Sequence, residues 1–330
     1  MKKMVLNFFS LILFLSFCSN IFSSSNNDNL ENYKNEIDEI LSELVVKYKV
    51  DAEYAKTALY SIKFHNKILK IMANAPERKD TWEQYEKKYL TSKRIEHGIK
   101  YYKSNYKDLK EVEEKFGVPA EIIVAFLGVE TNYGENTGKI KIIDSLGTLA
   151  LKHPERHKFF KEQLKNFIVL SYRNGFDYNK MKGSYAGAMG LPQFMPDSYR
   201  RLAVDFNNDG VVDLWNSKTD VYASISNFLK KNGWQSSEGI YLTAEIKDKY
   251  IKDIFIEGDV KTISISDEKL KKYIVKNNLK SGKKYLILLS KKNRKYKIGY
   301  KNFRVIMRYN PSTFYAMVVA KLSERIKLGK

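Results

Sequence analysis

The sequence predicts a mainly α-helical protein with a small β-rich insertion before its last helix. Three observations indicate this. Apolar residues recur at helical spacing through much of residues 30–235. Short segments after Trp234 alternate polar and apolar residues or carry β-branched runs, as strands do. A helical pattern then returns over residues 312–326.

The first 25 residues resemble a secretory signal peptide. Two lysines precede an apolar run from Met4 to Phe17, and a Ser- and Asn-rich stretch follows. The run is short for a membrane span. We therefore expect residues 1–25 to direct export to the periplasm or cell envelope, with an uncleaved anchor as the alternative. Cys18 partly resembles a lipoprotein cleavage site, so membrane anchoring through Cys18, as an outer-membrane lipoprotein, stays open.

Charge and cysteine content restrict the partners. The formal net charge of +20, from 58 basic and 38 acidic side chains, favours a polyanionic partner. An exported protein seldom meets nucleic acid, so we expect an anionic cell-wall polymer and no nucleic acid. The single cysteine cannot form an internal disulfide, so the core must hold the fold. We expect a monomer.

The chain divides by pattern after the signal segment. Residues 26–81 form a predicted N-terminal helical region, residues 82–235 a helical core region, residues 236–303 the β-rich insertion and residues 304–330 the C-terminal helix, which we expect to return to the core. The predicted core helices are one carried by residues 112–134, Asp144–Leu151, Phe159–Tyr172 and Asp220–Asn232, the last with Asp220 as N-cap. The predicted strands are Ile240–Ile246, Ile251–Ile256, Val260–Ile265, Tyr285–Leu289 and Tyr296–Tyr300, with Arg304–Met307 as an extension.

Glu130 lies near the end of an apolar helix expected to begin at Pro119 and to stop near Gly134. Ile123, Phe126 and Glu130 share one face, which must be buried. Burial raises the pKa of a carboxyl group, and a carboxyl that is protonated near neutral pH suits general-acid catalysis. The alternative is an ordinary boundary residue whose carboxylate reaches solvent.

The small-residue segment, Lys182–Pro196, is rich in Gly, Ala and Ser, so its backbone can approach a ligand closely. Tyr185 and Phe194 offer flat apolar faces, and Ser184 and Gln193 offer hydrogen bonds. This combination suits a sugar, which has apolar ring faces and hydroxyl edges. The alternative is tight helix–helix packing through small residues.

Residues 205–216 match an EF-hand-like calcium loop. The pattern is D-x-N-x-D-G-x-V-D, with Gly210 at the sharp turn. Asn216 replaces the bidentate Glu of position twelve, and Asp220 is the available substitute. The predicted oxygen ligands are Asp205, Asn207, Asp209, the Val211 carbonyl, Asp213 and Asp220. We expect calcium as a structural rather than catalytic ion, with an Asn/Asp-rich turn that needs no ion as the alternative.

Other chemistries lack sequence support. The histidines show no metal-binding spacing such as H-E-x-x-H. Neither a catalytic cysteine nor a G-x-S-x-G nucleophile motif is present, and no Gly-rich loop predicts phosphate binding.

Four segments, in order and spacing, resemble the membrane-bound lytic murein transglycosylase B family. They are Gly128–Gly134, Gly183–Pro196, Val204–Trp215 and Arg308–Asn310. Weaker likeness begins near Trp82 and runs to the C-terminus. The resemblance implies a lysozyme-like, SLT-type α-rich catalytic core with an EF-hand-like loop. It also implies cleavage of the β-1,4 bond between N-acetylmuramic acid and N-acetylglucosamine in peptidoglycan without water, leaving a 1,6-anhydro sugar.

The same resemblance implies roles for individual residues. Glu130 falls on the catalytic acid, which then acts as base, and Ser184 on a contact to the muramoyl N-acetyl group. The resemblance also places Gln193, Tyr309 and Asn310 in the saccharide cleft. From the residues themselves, Tyr133, Tyr185 and Phe194 are further residues expected to bind the glycan strand. A lone Glu suffices only if the substrate supplies its own nucleophile, because most glycosidases use two carboxylates. A non-catalytic peptidoglycan-binding protein, a muramidase-type hydrolase and a basic nucleic-acid binder remain as alternatives.

Overall fold

A computed structural model describes residues 29–73, 80–243, 245, 247, 250, 261–274, 279, 282–290 and 295–329. The expected signal peptide, Cys18 and the predicted strand Ile251–Ile256 lie outside the described residues. Within the described part of the chain, none of the helices combines the length and the apolar character needed to cross a membrane.

The described chain is mainly helical, as the sequence predicts. A 3-10 helix at Leu30–Tyr33 comes first. The α-helices are α1 Lys34–Val46, α2 Ala52–Tyr60, α3 Asn66–Ala73, α4 Trp82–Tyr89, α5 Ser92–Ser104, α6 Tyr106–Phe116, α7 Ala120–Thr131, α8 Ile142–Lys152, α9 His157–Asn174, α10 Pro196–Leu202, α11 Lys218–Lys231, α12 Asp267–Tyr273, α13 Lys301–Tyr309 and α14 Thr313–Gly329.

The strands of the described residues form two antiparallel sheets. They are β1 Ile140–Lys141, β2 Lys182–Gly183, β3 Tyr241–Leu242, β4 Lys261–Ile265, β5 Lys284–Ser290 and β6 Lys295–Gly299. Strands β1 and β2 pair with each other, and the second sheet has the order β3-β6-β5-β4. In that sheet Ile263 lies opposite Leu286, and Leu286 opposite Ile298, so the central β5 pairs on both sides.

The chain forms two compact units. Of the described residues, 80–129 and 222–329 belong to the sheet unit, named here for its four-stranded sheet. Residues 29–73 and 130–221 belong to the Glu130 unit.

The sheet unit has two centres of packing. Helix α12 covers the sheet through a core of Leu270, Tyr273, Ile274, Leu286, Leu288 and Ile298. Beside it, the buried Lys284 ammonium donates to the Asp267 carboxylate at 2.9 Å, which ties α12 to β5. Helix α14 is buried from Thr313 to Ala320 and packs against α4, α5, α13 and β5.

The Glu130 unit is built around the pair α8 and α9. Helix α8 is buried from Ile142 to Ala150, and α1, α2 and α10 pack against α9. The buried Lys165 ammonium of α9 lies 2.6 Å from both Glu43 and Glu162, so it links α1 to α9. Helix α1 is amphipathic and buries Ile37, Ile40 and Leu44, whereas α8 is buried on all sides and lies in the interior of the unit.

The structure corrects several predictions of secondary structure. Arg304–Met307 lies in α13 rather than in a strand, because Phe303 and Ile306 are buried at helical spacing. The C-terminal segment is two helices, separated at Asn310, where Pro311 disfavours helical backbone in the preceding residue. Helix α12, whose Ser266 N-cap accepts the Lys269 N–H at 3.3 Å, was not predicted.

Candidate functional site

Glu130 is the second-last residue of α7 and is buried, with 4% of its surface exposed. The predicted burial is confirmed. The face that carries Ile123, Phe126 and Glu130 is buried as predicted, and the burial extends to every other residue of α7. The helix begins at Ala120 rather than Pro119, and the Glu113 carboxylate accepts the Ala120 N–H at 3.1 Å.

A left-handed turn directly follows Glu130. Asn132 and Tyr133 have φ of 51° and 62°, and Gly134 has φ of 97°. Consecutive non-glycine residues in this region are uncommon and strained, and such strain clusters at functional sites. Thr131 stabilises the turn, since its hydroxyl accepts the Gly134 N–H at 3.1 Å and donates to the Leu191 carbonyl at 3.1 Å. The residue beside Glu130 is therefore tied to the small-residue segment.

Ser184 organises the small-residue segment. Its hydroxyl oxygen accepts the N–H groups of Ala186 and Ala188 at 3.3 and 3.0 Å. Its carbonyl accepts the Ser145 hydroxyl at 3.2 Å. Ser184 is 2% exposed. Because the hydroxyl accepts in both bonds, its own O–H can still donate to a ligand.

The glycines of this segment serve packing. A Cβ on Gly183 would lie 2.2 Å from the Ala188 carbonyl oxygen, and one on Gly190 would lie 2.4 Å from that of Leu214. Gly190 also has φ of 68°. The alternative of tight packing thus describes these glycines, although the partners are loop backbone rather than a second helix.

Gln193 has a buried acceptor without a partner. Its amide nitrogen donates to the carbonyls of Thr137 and Gly190 at 3.1 and 2.7 Å. Its Oε1 is buried, and no described residue donates to it. The residue is 6% exposed and has φ of 52°. A buried acceptor left unpaired is costly, which points to a ligand donor at this atom.

The aromatic residues differ in exposure. Phe194 is 2% exposed, and its backbone exchanges hydrogen bonds with Met189 at 2.9 and 3.1 Å. Its burial does not support the interpretation of Phe194 as an open ring face for a sugar. Tyr133 is 7% exposed, whereas Tyr185 is partly exposed. Tyr185 is thus the aromatic residue of this segment with ring surface available.

Tyr309 and Asn310 belong to the sheet unit. The Tyr309 ring centroid lies 4.7 Å from those of both Phe126 and Phe228. Asn310 is 3% exposed, and neither polar atom of its side chain has a hydrogen-bond partner among the described residues. Its unpaired amide, like that of Gln193, points to a polar ligand.

The EF-hand-like loop has the backbone that its sequence predicts. Gly210 has φ of 90°, and its N–H donates to Asp205 Oδ2 at 2.9 Å. Asn207 Oδ1 accepts the Asp209 N–H at 3.1 Å, and Asp209 Oδ1 accepts the Val211 N–H at 2.9 Å. In these bonds the side-chain oxygens of the loop accept N–H groups from the backbone of the same loop.

The loop residues fit an oxygen-bound cation. Asp205 Oδ1 is buried and has no hydrogen-bond partner among the described residues, so one carboxylate oxygen is uncompensated. No described group of three or more His, Cys, Asp or Glu side chains is arranged as a metal site. The predicted set also depends on an Asn amide and a backbone carbonyl, ligands that calcium accepts.

Asp213 and Asp220 hold the loop in shape. The buried Asp220 carboxylate accepts the N–H groups of Phe206 and Asp213 at 2.8 and 3.0 Å. The prediction of Asp220 as N-cap is wrong, since α11 begins at Lys218. Asp213 Oδ1 accepts the N–H groups of Trp215 and Asn216 at 2.8 and 3.0 Å.

Tyr199 shows the electrostatic effect of these carboxylates. Burial raises the pKa of its hydroxyl, and the negative charges of Asp213 and Asp220 raise it further. The neutral hydroxyl donates a hydrogen bond to the Val212 carbonyl. Asp213 and Asp220 therefore place negative charge beside the loop, which favours a cation.

Two hydrogen bonds join the EF-hand-like loop to the small-residue segment. The Leu191 N–H donates to the Leu214 carbonyl at 2.8 Å, and Trp215 Nε1 donates to the Lys182 carbonyl at 3.3 Å. Sequence reasoning missed Thr131, Thr137 and Leu214, because backbone contacts between distant segments leave no local pattern. Together, the bonds link Glu130, Ser184, Gln193 and the loop within one unit.

Comparison with known proteins identifies relatives over most of the chain. Residues 32–324 match the family model described as Transglycosylase SLT domain. The chain is 30% identical over 311 residues to membrane-bound lytic murein transglycosylase B of Escherichia coli, covering 88% of this chain and 82% of that protein.

Solved structures of lytic transglycosylases are also similar to this chain over most of its length. The soluble lytic transglycosylase SltB1 from Pseudomonas aeruginosa is 34% identical, with a TM-score of 0.80, over 89% of this chain and 98% of that one. The Escherichia coli lytic transglycosylase Slt35, solved in complex with calcium, is 30% identical, with a TM-score of 0.78, over 88% of this chain and 92% of that one. The predicted lysozyme-like, mainly α fold is confirmed.

Proposed function

The chain belongs to the transglycosylase SLT family, and from this premise we infer that Glu130 is its catalytic acid and base. The protein is a lytic murein transglycosylase, an enzyme that acts on peptidoglycan. The observation that carries the assignment of Glu130 is its burial, at 4% exposed, beside a strained turn that Thr131 fastens to the small-residue segment.

In the proposed reaction, Glu130 donates its proton to the glycosidic oxygen as the bond from C1 of N-acetylmuramic acid breaks. The muramoyl C6 hydroxyl then attacks C1 and gives its proton to the Glu130 carboxylate. One C–O bond is broken and one is formed, no water is consumed, and Glu130 ends protonated. Burial disfavours the charged form of a carboxyl group, which supports Glu130 as the initial donor.

The neighbouring residues supply hydrogen bonds rather than a second carboxylate. The Ser184 O–H is available to donate to the N-acetyl carbonyl, and Gln193 Oε1 is available to accept from a sugar hydroxyl or amide. We assign Tyr185 to ring contact. Asn310 and Tyr309 are proposed as further substrate contacts, supported by the unpaired Asn310 amide.

Glu130→Gln tests this function. We expect the purified enzyme to release 1,6-anhydromuropeptides from sacculi, and the variant to be about a hundred- to ten-thousand-fold slower. Glu121→Gln is the control, because Glu121 is also buried in α7, at 6% exposed, but at its first turn. Mass spectrometry decides between mechanisms, since a hydrolase product is heavier by one water. Products carrying that water, or full activity of Glu130→Gln, would contradict the proposal.

We also propose that the EF-hand-like loop binds calcium through Asp205, Asn207, Asp209 and the Val211 carbonyl. The uncompensated Asp205 Oδ1 supports this. Asp213 and Asp220 are proposed as further oxygen ligands, and their carboxylates also accept backbone N–H groups, as Asn207 and Asp209 do. The ion would hold the loop rigid against the small-residue segment and take no part in the proton transfers.

Calcium binding has a thermal test. Free calcium at a hundred times its Kd should stabilise the folded state by about 2.7 kcal/mol and raise the Tm. Asp205→Ala should lose this increase, and Asp38→Ala, an exposed carboxylate of α1, should keep it. A wild-type Tm that does not respond to calcium would indicate a turn that needs no ion.

The cellular location is the next point of the proposal. The Escherichia coli relative carries the description membrane-bound, which supports a place in the cell envelope. We propose export to the periplasm by residues 1–25, with Cys18 as the residue to examine for a lipid anchor.

A further inference from the structure

The sheet unit contains a cavity that none of the proposed catalytic or calcium residues lines. Its volume is about 310 Å³. Buried side chains of Trp82, Leu289 and Met317 give it an apolar wall, and Lys295, Lys297 and Lys321 also line it. A second cavity of about 480 Å³ shares Glu86 and Lys321 with the first. We call the first one the lysine cavity.

The three ammonium groups differ in their partners. Lys295 lies 3.1 Å from the Glu83 carboxylate, and Lys321 pairs with Glu86. Lys297 donates at 2.7 Å to the hydroxyl of Thr243, which is neutral. Among the described residues, no carboxylate pairs with Lys297. Its ammonium group also lies 5.9 Å from the centroid of the Tyr241 ring, so the cavity is lined by one lysine that has no direct carboxylate partner among the described residues.

The surroundings of Lys297 add to this imbalance. Burial lowers the pKa of its ammonium group, and the positive charge of Lys321 lowers it further, against the opposing effects of Glu324 and Glu86. A bound anion would stabilise the charged form of Lys297 and so oppose the lowering of its pKa by burial and by Lys321, because it supplies a negative charge where water is partly excluded.

The lining also limits the kind of anion. An apolar wall and a volume at the lower end of ligand sites favour an organic anion over a bare ion. The Glu86 carboxylate lines the same cavity and would repel a doubly charged phosphate more strongly than a singly charged carboxylate.

We propose that the lysine cavity binds a carboxylate of the peptides attached to peptidoglycan, with Lys297 as its direct partner. This rests on the proposed function, which supplies the substrate. The cavity then gives the enzyme a contact to the peptide part of the polymer, in the unit that does not carry Glu130.

The test measures binding without turnover. Stem peptide released from peptidoglycan by an amidase is titrated calorimetrically into the full chain carrying Glu130→Gln. Adding Lys297→Met should weaken binding about tenfold or more, the loss of a charge-assisted hydrogen bond. Lys297→Arg should restore most of the affinity. Lys283→Met is the matched control, since Lys283 is exposed just before β5 and does not line the cavity.

A second readout uses the active enzyme. Lys297→Met should raise KM for intact sacculi several-fold and leave KM unchanged for glycan strands stripped of peptide. Unchanged peptide affinity in Lys297→Met would overturn the proposal, provided that its Tm matches the parent. So would Lys297-dependent binding of inorganic phosphate without binding of peptide. If the wild-type protein binds the peptide but releases no anhydro product, the proposed function is wrong and the peptide-binding proposal stands.

Discussion

Three of the residues proposed to bind sugar or calcium have a buried polar atom without a hydrogen-bond partner in the described part of the chain. Gln193 Oε1, Asp205 Oδ1 and the Asn310 amide are all of this kind among the described residues. Leaving such atoms unpaired costs about 1–3 kcal/mol each in a folded protein. Three of the residues expected to bind sugar or calcium therefore carry a stability cost that a ligand could offset.

The Tyr54 hydroxyl is also buried and has no hydrogen-bond partner among the described residues, but we propose no ligand for it. Its ring centroid lies 5.1 Å from that of Tyr172 and 5.5 Å from that of Tyr178. Burial, with smaller contributions from Tyr178 and Asp177, raises its pKa to about 12. The unfolded side chain ionises near pH 10. Above that pH the unfolded state binds fewer protons than the folded state, so stability falls between about pH 10 and 12.

We expect Tyr54→Phe to leave the Tm at pH 8 unchanged or slightly higher, because a hydroxyl without a partner is removed. The decrease in Tm from pH 10 to 12 should be smaller than in the wild type. Thermal unfolding across this range measures both, with Tyr60→Phe, at an exposed tyrosine of the same helix, as control. An identical alkaline decrease in Tyr54→Phe would show that this group does not contribute.

At the scale of elements, the small-residue segment is held by backbone contacts rather than by a regular helix or sheet. Isolated bridges join Gly183 to Met189 and Met189 to Phe194, and Ser184 closes the turn between them. Its shape therefore depends on positions where a side chain has no room. Gly190 is such a position, and Gly175, at the end of α9, is a useful comparison.

Gly190→Ala and Gly175→Ala separate crowding from backbone strain. Both glycines have positive φ, 68° and 65°. Nothing lies within 4 Å of a Cβ on Gly175, so that change should cost about 1–2 kcal/mol, the strain alone. Gly190→Ala adds a backbone clash at Leu214 and should cost about 3 kcal/mol or more. Urea unfolding measures both, and equal losses would contradict this account of the segment.

At the scale of the whole molecule, charge is the dominant feature. The net charge of +20 attracts an anionic polymer over distances longer than any single contact. Such attraction is screened by salt, with a Debye length of about 10 Å at 0.1 M and about 3 Å at 1 M.

We expect the affinity of the Glu130→Gln protein for sacculi to fall several-fold when salt is raised from about 0.05 to about 0.5 M. Co-sedimentation with sacculi measures this, and sucrose of the same osmolality is the control. Binding that does not change with salt would show that local contacts, rather than net charge, supply the affinity.

The sequence alone was sufficient for the features that local pattern encodes. Helical spacing predicted α8 and α9, strand-like sequence texture predicted β5 and β6, and the D-x-N-x-D-G pattern predicted the turn at Gly210. The position of Glu130 at the end of an apolar helix likewise predicted its burial. These features depend on residues within one or two helical turns of each other.

Tertiary contacts decided the rest. Whether α7 is buried on one side or on all sides depends on what surrounds it. Asp220 accepts N–H groups from Phe206 and Asp213, and Lys297 faces a cavity formed with α4 and α14. These arrangements join residues from 7 to more than 200 positions apart. No local periodicity records them, because the partners meet only when the chain has folded.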